Sequence, residues 1–507
     1  MDGLIYINKL GFVVDPFQHS NADKEANYLG EYFIAPDYFD SIWGDPDNPV
    51  PNIIYAPRGS GKTAQKVMLE YRARESNNII YINYTSHDLS EFDSIDQITQ
   101  EYHLKYLNQL LLISFLDRFV QSDLYKNIFN FRERQYLYDL IKIYLFNTPE
   151  SFSRRALSSL KTGFDLSIDL LINIKDPLSK LIHNLTDIQG FPIDLDGIEI
   201  NKKLKSSHKE NFLNLVNYVK RLDCLCIYIF VDRIDEQKLT GNDVEASYKF
   251  VKPLLSDLDI IETDGIAFKF FLWDKIKLVA NGEIRHDRIF SFELTWNSSQ
   301  LIQMLNKRVY TYSNKKVVNV FELFENKASI DKIMLFSEFS PRDCIRICKS
   351  IITEQERIDP SKTLIPDSTV DEAIVKYCNT KTKELLPNVD IRKAIRDIGK
   401  VIFSADDLIQ KGIAFTNSIA SDYISNWLKK GVISKYGTFI KEINKERKYY
   451  NLYRIIDSRI AKIMFPNLSI NDFINNKTKV CVTCKERFII DSTKEKQKCP
   501  LCESLNE

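Results

Sequence analysis

Residues 51–71, PNIIYAPRGSGKTAQKVMLEY, constrain the fold of this chain more than any other stretch. Ile53, Ile54 and Tyr55 make a short apolar run that reads as a buried strand, and Val67, Met68 and Tyr71 recur at helical spacing. Between them stand Ala56, Pro57, Arg58, Gly59, Ser60, Gly61, Lys62 and Thr63. Gly59 and Gly61 let backbone N–H groups converge, because no Cβ stands in the way. A helix N-terminus adds its positive dipole end. A strand, a glycine turn, Lys-Thr and a helix in this order form what a polyphosphate cradle requires. Lys62 reaches the β- and γ-phosphates, and Thr63 ligates Mg²⁺. Ala56 replaces the usual first glycine at a position that mainly turns the chain.

A chain of 507 residues holds about three domains and can bury large cores. Its 44% hydrophobic and 27% charged residues are those of a soluble globular protein. No apolar run reaches the roughly 20 residues of a membrane helix. The best candidate, 104–120, is broken by Lys105, Asp117 and Arg118. The N-terminus carries Asp2 and no basic–apolar–small series, so a cytoplasmic protein without a membrane partner is expected. The zero net charge conceals an asymmetry. Residues 391–507 hold 22 Lys and Arg against 13 Asp and Glu, which suggests an anionic partner there. Of nine cysteines, Cys224, Cys226, Cys344, Cys348 and Cys378 are scattered and read as reduced, buried thiols.

Further strands follow the loop. Residues 79–83, 225–231, 267–272 and 290–294 read as strands interleaved with helical segments, which predicts a five-stranded parallel α/β sheet with crossovers. The run at 225–231 ends in Asp232, followed by Arg233, Ile234, Asp235 and Glu236. An acid at the tip of such a strand, beside the loop, holds Mg²⁺ directly or through water, and a second acid shortly after it orients the attacking water. Asp235 and Glu236 both remain open for that role. Residues 86–220 read as a mostly helical insertion, with helical spacing at 104–120, 134–146 and 165–184. In the leader, Pro16, Phe17 and Phe33 read either as a packing surface for a base or as core. Ser340, Pro341 and Asp343 open a helix as cap, first-turn proline and first-turn acid.

On these residues the chain resembles a P-loop ATPase of the additional-strand class, near the AAA+ initiator-type and STAND-type ATPases. VDRIDE (231–236) resembles the STAND form of the Walker B motif, with the second acidic pair displaced from the first Asp. Initiator-type enzymes place Glu directly after that Asp, where this chain has Arg233. EFSPRD (338–343) resembles the sensor-2 helix of a lid, which implies that Arg342 contacts the γ-phosphate. Arg285 and Arg288 fall where such families carry an arginine finger, and LWDK (272–275) offers Asp274 or Lys275 as a polar sensor. The resemblance covers residues 10–353 apart from the insertion. It implies ATP as substrate, a homo-oligomer when ATP is bound and a partner effector protein. Bacterial antiviral defence or a mobile-element module is the setting in which ATPases built this way are common.

From residue 389 the pattern changes. IRKAIRDIGKVIF, ADDLIQKG and NSIASDYISNWLKKG read as three helices, and 432–456 alternates like a hairpin with Lys441, Lys445, Arg447 and Lys448 around its turn. Three helices and a basic hairpin resemble a winged helix, a module that reads nucleic acid or docks protein. The tail carries CVTC, fourteen residues, then CPLC, so Cys481, Cys484, Cys499 and Cys502 have zinc-ribbon spacing for one Zn²⁺. The expected organisation is a core over 1–295, a helical lid over 296–353, a linker with a short helix over 354–388, a winged-helix-like domain over 389–470 and a zinc ribbon over 478–507. Two functions fit: an ATP-hydrolysing switch that engages nucleic acid or an effector, and a nucleic-acid-binding regulator whose nucleotide site is structural and weakly hydrolytic.

Overall fold

The structure, a computed structural model, describes residues 3–85, 87, 89–120, 128–146, 206–443, 446–467, 478–483, 487–489, 497–498 and 504–506. The chain divides into two compact units: residues 35–58 with 62–294, and residues 1–34 with 59–61 and 295–507.

The first unit is built on a sheet of β1 (Asn52–Ala56), β2 (Ile79–Tyr84), β3 (Cys226–Val231), β4 (Ile266–Trp273) and β5 (Phe290–Glu293). Their order is β2-β3-β4-β1-β5, and every neighbouring pair is parallel. Strands β1, β2 and β3 are buried along their whole length, as strands covered on both faces must be. β4 stands between β1, which feeds the glycine loop, and β3, which ends at Asp232. One strand thus separates the strand that carries the loop from the strand that carries the acid. Because all five strands are parallel, the loop and the acid leave from the same edge of the sheet, where open α/β sheets take their ligands.

Helices α1 (Lys62–Arg74), α2 (Gln100–Val120), α3 (Phe131–Ile141), α4 (His208–Lys220) and α5 (Val244–Leu255) belong to this unit. The segment expected to be helical over 134–146 begins earlier, at Phe131, and ends in a π-helical turn, Lys142–Phe146. The helix expected over 165–184 lies outside the described residues. No helix among the described residues is long and apolar enough to cross a membrane.

Lys269 is the polar exception inside β4. It is 1% exposed, and its ammonium donates to the Val50 carbonyl at 2.9 Å and to Asn52 Oδ1 at 2.6 Å. Burial pulls its pKa from 10.5 to about 7. The unfolded chain keeps that proton up to about pH 10.5, whereas the folded chain releases it near pH 7. Between those values the unfolded state binds more protons, so stability rises with pH across the window. The urea midpoint is therefore expected to climb from pH 7 towards pH 10, and Lys269→Met to remove that climb. An unchanged slope in the variant overturns the assignment.

The second unit contains α6 (Ser298–Tyr312), α7 (Pro341–Ile358) and α8 (Asp367–Leu385). Most of the stretch read as a linker is thus helical. α8 buries Val370, Ala373, Ile374 and Cys378, a stripe at helical spacing. Then come α9 (Val389–Ile398), β6 (Ile402–Ser404), α10 (Ala405–Gln410), α11 (Asn417–Lys429), β7 (Ile433–Ile443), β8 (Glu446–Ile455) and α12 (Ser458–Met464). The helix expected to run through Val401 stops at Gly399, whose φ of 74° is a left-handed cap, and the residues beyond it pair with β8 as a strand. The three strands form an antiparallel sheet in the order β6-β8-β7. In the tail, β9 (Thr478–Val480) pairs antiparallel with β10 (Arg487–Ile489).

The N-terminal leader is fixed within this unit by Arg308 of α6. Arg308 is fully buried and donates to the carbonyls of Pro16 and His19 and to the carboxylate of Glu25. The hydroxyls of Tyr32 and Tyr312 each donate to Glu25 at 2.9 Å. Phe17 is a core residue and the Pro16 carbonyl is an Arg308 acceptor, whereas Phe33 is half-buried.

Candidate nucleotide site

β1 stops at Ala56 and α1 starts at Lys62. The Lys62 ammonium is turned back onto the loop, donating to the carbonyls of Ala56 at 2.9 Å and Pro57 at 3.0 Å. Burial lowers its pKa against the opposing pull of Asp235, Asp232 and Asp274. The next residue, Thr63, donates its hydroxyl to Asp232 Oδ2 at 3.0 Å. Asp232 is 1% exposed, and burial raises its carboxyl pKa although Lys66 and Lys62 oppose the shift. A hydroxyl on a buried carboxylate, one residue from a half-buried ammonium, is an oxygen donor pair suited to a small hard cation.

The two remaining acids of the 231–236 motif, Asp235 and Glu236, part company. Arg233, directly after Asp232, adopts φ 60°, the left-handed region that costs a side-chain-bearing residue about 1–2 kcal/mol. Asp235 is buried and paired with Arg58, Nε to Oδ2 at 2.7 Å. The Glu236 side chain is 54% exposed and lies 4.0 Å from Arg233. At the end of β4 the Asp274 backbone N–H donates to the Ala56 carbonyl at 3.1 Å, and burial raises the pKa of its carboxyl.

Within the second unit, Gly59 sits at φ 81°. A Cβ there would stand 2.8 Å from Ser340 Oγ and 3.1 Å from Arg342 Cβ, so only glycine fits. The Arg342 backbone N–H donates to the Gly59 carbonyl at 3.2 Å, and Ser340 caps α7 by accepting the Asp343 N–H at 3.3 Å. Trp296 donates its indole N–H to the Ser60 carbonyl at 2.7 Å, a contact the sequence analysis missed. A lone tryptophan ahead of a helix carries no periodic signal that would mark it.

Arg285 and Arg288 are exposed and bound to acids of their own unit, Arg285 to Asp287 at 2.8 and 2.7 Å and Arg288 to Glu262 at 2.8 Å. The five scattered cysteines are buried free thiols, and burial pushes Cys224, Cys344 and Cys378 up to about 12. In the tail, Cys481 is buried, accepts the Thr483 N–H at 3.4 Å and lies 3.1 Å from Ser504 Oγ. Cys484, Cys499 and Cys502 lie outside the described residues.

No protein-family model matches the sequence, and no curated protein matches it. Among solved structures the chain is similar to the ORC2 protein of Aeropyrum pernix in its ADPNP–ADP complexes. The TM-score is 0.39 and the identity 13%, over 89% of this chain and 96% of that one. It is also similar to Cdc6p from Pyrobaculum aerophilum, with a TM-score of 0.33 and 12% identity, over 89% of this chain and 98% of that one.

Proposed function

We propose that the chain binds Mg²⁺–ATP at residues 56–63 and hydrolyses it, acting as a switch whose C-terminal part engages nucleic acid. The observation that carries the reading is the Thr63–Asp232 hydrogen bond of 3.0 Å beside the loop-bound ammonium of Lys62. Mg²⁺, when bound, neutralises phosphate charge as the terminal phosphoryl group leaves. Thr63 and Asp232 are the residues that would hold it. Lys62 would exchange the Ala56 and Pro57 carbonyls for phosphate oxygens. The Thr63 hydroxyl and the neighbouring lysines favour the Asp232 carboxylate, opposing the burial that raises its pKa. Turnover of ATP by the full chain, with and without DNA, tests the reading, and absence of both binding and turnover overturns it.

Support for nucleic acid comes from the run of elements α9 to β8 and from charge. Lys441 stands opposite Lys448, and Glu442 opposite Arg447, at the turn of the β7–β8 hairpin; Lys445 lies outside the described residues. Lysines that neutralise phosphates release counterions, so affinity falls steeply with salt. Replacing Lys441, Lys445, Arg447 and Lys448 together is expected to flatten the log–log salt slope by up to about four units. No binding tighter than about 10⁻⁴ M at physiological salt, the level of non-specific contact, would redirect the reading to a protein partner.

The tail is read as a zinc ribbon in which Cys481, Cys484, Cys499 and Cys502 hold one Zn²⁺. The N–H that Cys481 accepts from Thr483 favours a thiolate over a thiol. Zn²⁺ in such a site supplies the folding energy that a short polar segment cannot draw from a core. Metal analysis is expected to give one zinc per full chain and none for a chain ending at Asn475. Zinc retained at full stoichiometry by the shortened chain refutes the assignment.

A further inference from the structure

Two carboxylates of the 231–236 motif are engaged from the glycine loop and the helix it opens. Asp232 is engaged by the Thr63 hydroxyl. Asp235 is engaged from the loop itself: Arg58 Nε donates to its Oδ2 at 2.7 Å, and Arg58 Nη2 donates to its main-chain carbonyl at 3.1 Å. The guanidinium is held in place by the Trp273 ring at the end of β4, 4.3 Å from its carbon to the ring centroid. Stacking of this kind fixes the plane of the fork as well as its position. Both contacts leave Asp235 Oδ1 unused. The side chain of Asp235 is 8% exposed, against 54% for that of Glu236, its neighbour in sequence. An acid that must present one oxygen to a water needs this kind of restraint, because a misplacement of about 1 Å costs on the order of 10²-fold in rate.

We propose that Arg58 is a positioning residue that holds Asp235 as the acid orienting the attacking water, with Glu236 left outside the reacting centre. The inference rests on the reading of residues 56–63 as an ATP site. In the step it serves, the water oxygen bonds to the γ-phosphorus while the bond from that phosphorus to the β,γ-bridging oxygen breaks. ADP leaves with the electron pair, and the proton released by the water passes to Asp235 Oδ1 and from there to solvent.

The test uses the full chain and two measurements: binding of a slowly hydrolysed ATP analogue with Mg²⁺, and steady-state ATP turnover. Asp235→Asn is expected to lose about 100-fold or more in kcat, a typical share for a positioned acid–base group, while analogue affinity stays within about threefold. Its loss should exceed that of Glu236→Gln by about tenfold or more. Arg58→Ala should lose about tenfold in kcat with KM little changed, and Arg58→Lys should not restore it, since an ammonium lacks the fork. The Arg58→Ala/Asp235→Asn pair should be no slower than Asp235→Asn alone, because residues acting as a unit are not additive. If Asp235→Asn does not fold, the kcat-against-KM split of Arg58→Ala decides. Equal or greater loss in Glu236→Gln, additive losses in the pair, or an Arg58→Ala that lowers only the thermal midpoint overturns the inference while the ATP reading stands. A native chain that binds no analogue overturns the ATP reading itself, and the inference with it.

Discussion

Lys62→Ala is expected to weaken binding of an ATP analogue more than tenfold and to cut turnover by about 10²–10³-fold, or roughly 2.7–4 kcal/mol of transition-state stabilisation. Lys62 is half-buried, and partial desolvation lowers its pKa from 10.5. In that setting a phosphate gains far more from the charge than it would in water. The Lys62 hydrogen bonds to the Ala56 and Pro57 carbonyls show that the side chain is folded back over its own loop, ready to exchange those acceptors for phosphate oxygens. Arginine should not substitute, because the site suits a compact point charge and not a planar fork. The variant keeps the helix that Lys62 opens, since alanine has the better helix propensity. Circular dichroism and an unchanged elution volume establish that it is folded. Full turnover in such a preparation would overturn the assignment of residues 56–63.

The legible part of this fold is the part that obeys short-range rules. The central strand stood out because its apolar run, 226–231, is uninterrupted, and the structure moves the ends of the five strands by only a residue or two. β6 escaped notice because three residues cannot signal a strand; its partner, β8, lies far along the chain. α8 is longer than the short helix expected within the linker, because its polar opening, Pro366-Asp-Ser-Thr, obscures the apolar stripe from Val370 to Cys378. At the candidate site, the glycine loop and the acids were visible as motifs. The partnership of Arg58 with Asp235 was not, because it joins residues 177 positions apart. Only the insertion of β4 between β1 and β3 determines which loop residue meets which acid. Trp273, which steadies the pair, reads in sequence as the end of an apolar strand.

Arg308→Ala is expected to destabilise the second unit by about 3–5 kcal/mol, the range for removing one partner of a buried ion pair. Arg308 and Glu25 are 0% and 5% exposed at their side chains, so neither charge has solvent to fall back on. Alanine would strand the Glu25 carboxylate in a pocket whose remaining donors are the hydroxyls of Tyr32 and Tyr312. It would also remove the donors that Arg308 gives to the Pro16 and His19 carbonyls, freeing the leader from α6. The two tyrosine rings lie 4.7 and 5.3 Å from the guanidinium carbon, so part of the loss is packing and cation–π attraction. The double change Arg308→Met with Glu25→Leu separates these contributions. It removes both charges while filling the space, and it should recover most of the stability, because desolvating a buried pair offsets much of its attraction. The measurement is the urea midpoint of each variant, followed through tyrosine and tryptophan fluorescence. A single variant as stable as the native chain would show that the cluster does not hold the leader. A double variant as unstable as the single would show that the hydrogen bonds to Pro16 and His19, and not the stranded charge, carry the effect.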